Sequence, residues 1–271
     1  MIYLYIAIGV LAFLIFVYFF MIMPSIRKND TVEKIGTAIF AHRGLHDKYR
    51  HIPENSLAAF ERAIQLGVGI ELDVHLTADN GTVIMHDTTT DRMTGVSGNV
   101  TEMTQAKLAR LRLDGTNETI PFLSDVLHLV DGSVPLLIEL KSDGGNYASL
   151  CKECFKLLDN YKGCYVIESF DPRILFWLRR NRPNVGRGQL ATHDSNKSPF
   201  FTFLLSNLML NFLSRPHFIA YDIRYINKSL APNLCTKLFG SKLYIWTVTD
   251  KCELEHNTKN GISSIFEGFE P

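Results

Sequence analysis

The sequence has no surplus of charge of either sign. Its 271 residues carry 28 Lys and Arg against 28 Asp and Glu. Nonspecific nucleic-acid binding needs a basic surface that displaces counterions, so this neutrality argues against a nucleic-acid partner. Cysteine is scarce: the five present, an odd number at irregular spacing, make no disulfide framework. Cys151 and Cys154 form the one CxxC, and neither a second pair nor a histidine set completes a zinc site around it. They read as small core residues of a helix, and the compartment as reducing. A Gly-rich dinucleotide loop after the first strand is also missing. What is present, 46% hydrophobic and 21% charged residues, is ample for one large domain or two small ones and is not the composition of a disordered chain.

From Met1 to Met23 the chain has no charged residue, and nearly every position is aliphatic or aromatic. At ~1.5 Å per residue a helix of this length crosses a ~30 Å hydrocarbon core. No Lys or Arg precedes the run, whereas Pro24, Arg27 and Lys28 follow it. That pattern predicts an uncleaved single-pass anchor over 1–24, not a cleavable signal peptide. Arg27, Lys28 and Lys34 then place the following domain on the cytoplasmic side. A linker over 25–36 leads to a catalytic domain over 37–271.

Beyond the linker, short apolar runs read as strands near Ala38–His42, Gly69–His75, Pro135–Lys141, Tyr165–Phe170, Val185–Leu190, Phe218–Tyr221, Leu243–Val248 and Ser263–Phe266. Helical patterns such as Ser56–Leu66, Tyr147–Leu158, Arg173–Arg180 and Ala231–Leu238 lie between most of them. This alternation implies a parallel sheet. The run Val83–Asp87 follows the second strand too soon for a parallel crossover, so it is expected as an antiparallel hairpin partner. Eight parallel strands remain, in about 235 residues, the count and size of a (β/α)8 TIM barrel. The alternative is an open doubly wound sheet, disfavoured by the missing Gly-rich loop.

Polar residues cluster at the strand ends where such a barrel places its active site. The first strand ends in Ala41-His42-Arg43-Gly44, the second carries Glu71 and Asp73, and the third carries Glu139 and Lys141. Residues i and i+2 of a strand share a face, so each of the last two pairs projects together. Three carboxylates at one mouth repel and are costly to desolvate unless a cation holds them. An all-oxygen set favours a hard ion, Mg²⁺ or Ca²⁺, over zinc. The hairpin returns His86 toward the same mouth. Two histidines, a cation site, Arg43 and Lys141 suit phosphoryl chemistry, with one imidazole accepting a proton and the other donating one.

The series Ala-His-Arg-Gly (41–44), Pro-Glu-Asn-Ser (53–56), Glu-Leu-Asp-Val (71–74), His-Asp (86–87) and Ile-Glu-Leu-Lys (138–141) resembles the glycerophosphodiester phosphodiesterase family. The resemblance continues through Glu-Ser-Phe-Asp (168–171) and Trp-Thr-Val-Thr (246–249). It implies a barrel that hydrolyses glycerophosphodiesters to glycerol 3-phosphate and an alcohol. It also implies His42 and His86 as the acid/base pair, Glu71, Asp73 and Glu139 as ligands of one divalent cation, and Arg43 and Lys141 on the phosphate. The expected partners are a glycerophosphodiester or lysophospholipid substrate and the lipid bilayer. Rival readings are a lysophospholipase D-type enzyme of the same fold and a non-catalytic barrel that binds phospholipid.

Some residues keep two readings. Asn55 or Ser56 caps the helix to Leu66, with capping the main reading of Asn55, while Glu54 faces the site. Trp246 lines the substrate pocket or packs. Arg179, Arg180 and Arg182 form a solvated basic face or meet anionic headgroups. Glu267 stands near the family's usual terminal acid and receives no role. The stretch from His86 to Pro121 is too short for a substantial inserted domain. Phe200–Leu213 reads as a helix docking through Phe201, Leu204, Leu205, Leu208, Met209 and Phe212. Phe200, Phe203, Leu210 and Leu213, left over on its outer side, contact a membrane or subunit, or lie under neighbouring loops.

Overall fold

The computed structural model describes residues 1–194 and 198–271. Nine strands form one sheet: β1 (Ile39–Ala41), β2 (Gly69–Leu76), β3 (Thr82–Ile84), β4 (Leu136–Leu140), β5 (Tyr165–Ser169), β6 (Arg187–Ala191), β7 (Phe218–Asp222), β8 (Lys242–Val248) and β9 (Ser263–Phe266). All but β3 are parallel, and β1 pairs with both β2 and β9, which closes the sheet into a TIM barrel. β3 is antiparallel to β2, with Val74 opposite Ile84, as the short Asp79-Asn80-Gly81 connection requires.

Strand parity sorts the residues. Ile70, Leu72 and Val74 of β2 pack outward under the helices, in one cluster with Ile138 and Ile167. The other parity points inward. There Phe40, Leu137, Val166, Phe218, Tyr244 and Ile265 fill the barrel, and Glu71, Asp73 and Glu139 stand above them, nearer the strand ends. Every residue of β2 is buried. A barrel strand is covered on both faces, so the helices shield one set and the interior the other.

Residues 87–122 make an excursion with its own small core. Met93, Val100, Met103, Leu108, Leu113 and Ile120 pack with Val83 and Met85 beside β3. It is a satellite cluster, in keeping with its shortness.

The apolar helix Ile2–Ile22 is exposed along nearly its whole length. Its last turn is not: Ile22 is fully buried among Leu208, Tyr221, Ala231 and Cys235. The carbonyls left over at its C-terminus are gripped by the barrel. Asn211 Nδ2 donates to Ile22 O (2.9 Å), and Arg215 Nη1 donates to Met23 O (2.6 Å) and Phe20 O (3.2 Å).

That grip corrects one expectation. Phe200–Leu213 is not a single helix but two, Pro199–Ser206 and Asn211–Ser214. Asn207 ends the first, and Leu208 then turns left-handed (φ 56). The turn drops Leu208 into the core and points Asn211 at Ile22 O. Phe201, expected on the docking face, is 44% exposed, and Phe200 and Phe203 are exposed beside it.

Candidate active site

β1 gives way to a tight turn in which Arg43 (φ 55) and Gly44 (φ 78) are both left-handed. A Cβ on Gly44 would lie 2.8 Å from the Phe60 ring, so only glycine lets the turn sit this close to helix Leu57–Gln65. The turn brings the Arg43 amide to Glu71 Oε2 (2.7 Å) and leaves the Arg43 carbonyl for the Asn55 amide (2.8 Å).

Asn55 corrects a second expectation. The helix cap is Ser56, whose Oγ accepts from the Ala59 amide at 3.1 Å. Asn55 is itself left-handed (φ 53), a backbone conformation asparagine tolerates better than most residues, and its Nδ2 donates to Asp73 Oδ2 at 2.8 Å. It is a site residue, not a cap.

Glu71, Asp73 and Glu139 are buried, and one oxygen from each lies within 4.8 Å of the others. Register makes this inevitable: Asp73 stands beside Glu139 across β2 and β4, and Glu139 beside Glu168 across β4 and β5. Glu168 is therefore a fourth carboxylate on the same inner face, 1% exposed and with Oε2 unpartnered. Lys141 Nζ lies 3.2 Å from Asp73 and 3.1 Å from Glu139, while Arg43 Nε is 3.7 Å from Asp73. Four buried carboxylates thus face two cations.

The electrostatics record that excess. Burial, with Asp73 and Glu139 nearby, drives Glu71 well above its ordinary value, and burial lifts Glu139 to about 7 although Lys141 opposes it. Burial also works against ionised Asp73, but Lys141, His86 and Arg43 outweigh it and hold this carboxyl far below its usual range. An all-oxygen donor set short of two positive charges fits a hard divalent cation.

Both histidines present one ring nitrogen to a carboxylate. His42 Nδ1 pairs with Glu267 Oε2 at 2.5 Å, and His86 Nδ1 with Asp87 Oδ1 at 2.7 Å. Each pairing fixes the ring and leaves Nε2 for chemistry. Asp87 accepts from Arg92 Nε (2.5 Å), Arg92 forks onto Glu54 (2.6 and 3.1 Å), and Arg43 Nη1 reaches Glu54 Oε1 (2.8 Å). Beneath them, buried His75 pairs through Nδ1 with Asp143 (3.0 Å), and its Nε2 lies 3.3 Å from the His86 carbonyl.

His42, Arg43, Glu71, His86, Glu139 and Trp246 line one cavity of ≈ 130 Å³. Trp246 packs edge-on to Phe170 (5.6 Å) and, with Leu190 and Ile265, makes its apolar wall. Past His86 and Glu139 a wider cleft of ≈ 590 Å³ opens toward Lys141, Ser142, Asp171 and Arg173. All nine residues singled out in the sequence therefore meet at one mouth.

The profile of the glycerophosphoryl diester phosphodiesterase family matches residues 42–266, from His42 to the end of β9. The chain belongs to that family. As a member it is a phosphoric diester hydrolase. It is 31% identical over 241 residues to a glycerophosphodiester phosphodiesterase of Caldanaerobacter subterraneus subsp. tengcongensis, an alignment covering 84% of this chain and 93% of that protein. It is 25% identical over 256 residues to a lysophospholipase D of Rattus norvegicus, covering 80% and 79%. Its fold is that of an Oleispira antarctica phosphodiesterase solved with sn-glycerol-3-phosphate: TM-score 0.71, 22% identity, 87% of this chain and 94% of that one.

Within this family member, four site residues escaped sequence reasoning: Asn55, Arg92, Glu168 and Glu267. Glu168 had a usable signal, since it occupies on β5 the place Glu139 occupies on β4, and Glu267 had one in its place near the family's usual terminal acid. Arg179, Arg180 and Arg182 do not act as one face: Arg182 pairs with Asp159 (2.6 Å), whereas Arg179 donates to the carbonyls of Phe212 and Leu213.

Proposed function

We propose that this chain hydrolyses glycerophosphodiesters to glycerol 3-phosphate and an alcohol at a membrane surface, with His42 and His86 as the acid/base pair. Glu71, Asp73 and Glu139 would hold one divalent cation, Mg²⁺ or Ca²⁺. The observation that carries this reading is the buried carboxylate cluster, two charges short of neutrality when Glu168 is counted with Glu71, Asp73 and Glu139, between two imidazoles each oriented through Nδ1.

The cation, when bound, supplies a Lewis acid that polarises a phosphoryl oxygen. Arg43 and Lys141 stand beside the same carboxylates and meet the remaining negative charge of the phosphate. One imidazole Nε2 removes the proton from the attacking oxygen, and the other protonates the departing one. If the attacking oxygen is the substrate's own glycerol hydroxyl, a cyclic phosphate is released transiently before water opens it. Trp246, Phe170 and Leu190 exclude water from one side of the reacting centre.

Ile2–Ile22 is long and apolar enough to cross a membrane. We read 1–24 as the anchor, 25–36 as the linker and 37–271 as the catalytic domain, held on the cytoplasmic side by Arg27, Lys28 and Lys34. The apolar wall at Trp246 also favours a second substrate class, lysophospholipids.

The test is glycerol 3-phosphate release from glycerophosphocholine by the detergent-solubilised chain, with Mg²⁺, with Ca²⁺ and with EDTA, beside His42→Ala. Release that needs the ion and vanishes in the variant is expected. Release that persists in EDTA would overturn the metal assignment. Silence on glycerophosphocholine with activity on lysophosphatidylcholine would move the substrate.

A further inference from the structure

The barrel has a second cleft, at the end opposite the mouth. It encloses ≈ 500 Å³ against the foot of the apolar helix, between residues 23–30 and the turns that precede β6 and β7. Arg27, Lys28, Arg179, Arg187, Arg215 and His217 line it. The acids that face it are few. Asp30 lines its rim, and Glu33 lies 3.8 Å from Lys28 and 3.7 Å from Lys242. Among the described residues, no carboxylate comes within 4.0 Å of Arg27, Arg179, Arg187 or Arg215.

What those arginines touch is carbonyl oxygen. Arg187 is 4% exposed and donates to Ser214 O (2.8 Å), Arg215 O (2.9 Å) and Pro183 O (3.4 Å). Arg179 donates to Phe212 O and Leu213 O, and Arg215 to the carbonyls ending the apolar helix. Carbonyl dipoles orient a guanidinium but do not neutralise it, and a buried cation without a counter-charge is costly. The cost is visible: burial and neighbouring Arg179 pull Arg187 down to about 10 and lower Arg215 as well. The His217 Nδ1 accepts from the Arg187 amide (3.3 Å), which puts the neutral ring's proton on Nε2 as a further donor. A cleft with five cations against two acids, Asp30 at the rim and Glu33 beside Lys28, is built for an anion.

We infer that this cleft binds the phosphate of an anionic phospholipid headgroup and seats the base of the barrel on the bilayer. The inference rests on reading Ile2–Ile22 as the membrane span, because that helix ends where the cleft begins. The shared chemistry is a phosphate group, and free phosphate is the other source. The uncompensated charge of the arginines disfavours a zwitterionic headgroup, whose ammonium would meet more cations than acids here.

The test is native mass spectrometry of the full chain in mild detergent, with phosphatidylglycerol or phosphatidylcholine of the same acyl chains. It is run beside Arg27→Gln/Lys28→Gln/Arg179→Gln, three exposed positions. Each basic group near a membrane surface is worth about fivefold in affinity for anionic lipid, so the triple variant should lose roughly a hundredfold. Preferential retention of phosphatidylglycerol, lost in the variant and unmoved by millimolar inorganic phosphate, supports the headgroup. Retention displaced by inorganic phosphate keeps the site but assigns it to the free ion. Equal retention of both lipids, or a variant like the wild type, overturns the inference. Turnover of soluble glycerophosphocholine, measured on the same samples, is unchanged in the variant, and its absence would count against the proposed activity alone. Resistance of the chain to carbonate extraction tests the span separately.

Discussion

His42 Nδ1 donates to Glu267 Oε2 at 2.5 Å, so the imidazole at the end of the first barrel strand is oriented by the residue just past the last one. Ala41 pairs with Phe266 where the barrel closes, and the pair forms across that seam. Glu267→Gln keeps the shape but weakens the preference for the Nδ1–H tautomer and removes the charge that stabilises an imidazolium. We expect kcat to fall by about 10²-fold with KM nearly unchanged. Steady-state kinetics on glycerophosphocholine check this, and an unaltered kcat would mean that His42 needs no such partner.

The same pairings give the fold an acid limit. The hydrogen bond from His42 holds Glu267 down at about 2. Asp87 is also held at about 2, where Arg92 and His86 outweigh its burial. Both values lie below those of the unfolded chain, so each group's contribution is complete above about pH 4.5 and disappears as the pH falls through about 2. The urea midpoint of the wild type should therefore drop across that window. In Asp87→Asn/Glu267→Gln the drop should be shallower.

Metal binding has a readout independent of turnover. An ion at about 100 times its Kd adds about 2.7 kcal/mol to the native state, roughly 5–10 °C in Tm for a chain of this size. Mg²⁺ or Ca²⁺ should produce such a shift in the wild type, reversed by EDTA. Glu139→Gln should abolish most of it. Without the ion this variant should be no less stable than the wild type, because it removes one carboxylate from an overcrowded set.

Arg92 joins the two halves of the site, reaching Asp87 through Nε and Glu54 through both terminal nitrogens. Arg92→Ala leaves Asp87 with His86 as its remaining partner and Glu54 with Arg43. The expected loss is about tenfold in kcat/KM. Arg92→Lys should recover little of it, since an ammonium cannot fork onto Glu54 while holding Asp87. Full recovery by lysine would show that only the charge matters.

The line between what was legible in the sequence and what was not follows the range of the interaction. Short apolar runs placed all eight parallel strands, because each doubly covered strand carries its own apolar signal, and the short connection after the second strand placed the hairpin. The i, i+2 rule put Glu71 with Asp73 and Glu139 with Lys141 on common faces, which needs no knowledge of the rest of the fold. Glu267, Arg92 and Glu168 reach the site only through barrel closure, a loop crossing and sheet register. None of these is local. Asn55 was misread for a different reason: two residues of good capping chemistry stand side by side, and only the left-handed turn decides which one caps. The break at Leu208 was hidden likewise, since the carbonyl that draws Asn211 inward belongs to Ile22, far back in the chain.

Register also fixes the base of the barrel. Gly188 of β6 stands beside Phe218 of β7, whose ring stacks on Tyr244 (4.4 Å), which in turn stacks on Phe40 (5.8 Å). A Cβ at Gly188 would lie 2.0 Å from the Phe218 ring, far inside contact distance. In a close-packed interior the ring can yield only by displacing the aromatics behind it. Gly188→Ala should therefore cost about 1–3 kcal/mol despite adding a single methyl group. A fall in Tm of roughly 3–10 °C would show it in a thermal melt. The proposed catalytic groups sit at the other end of the strands, so kcat well below the melt should stay near the wild-type value. A variant as stable as the wild type would mean that the column repacks freely. One that folds but loses kcat would mean that the base of the barrel sets the geometry of its mouth.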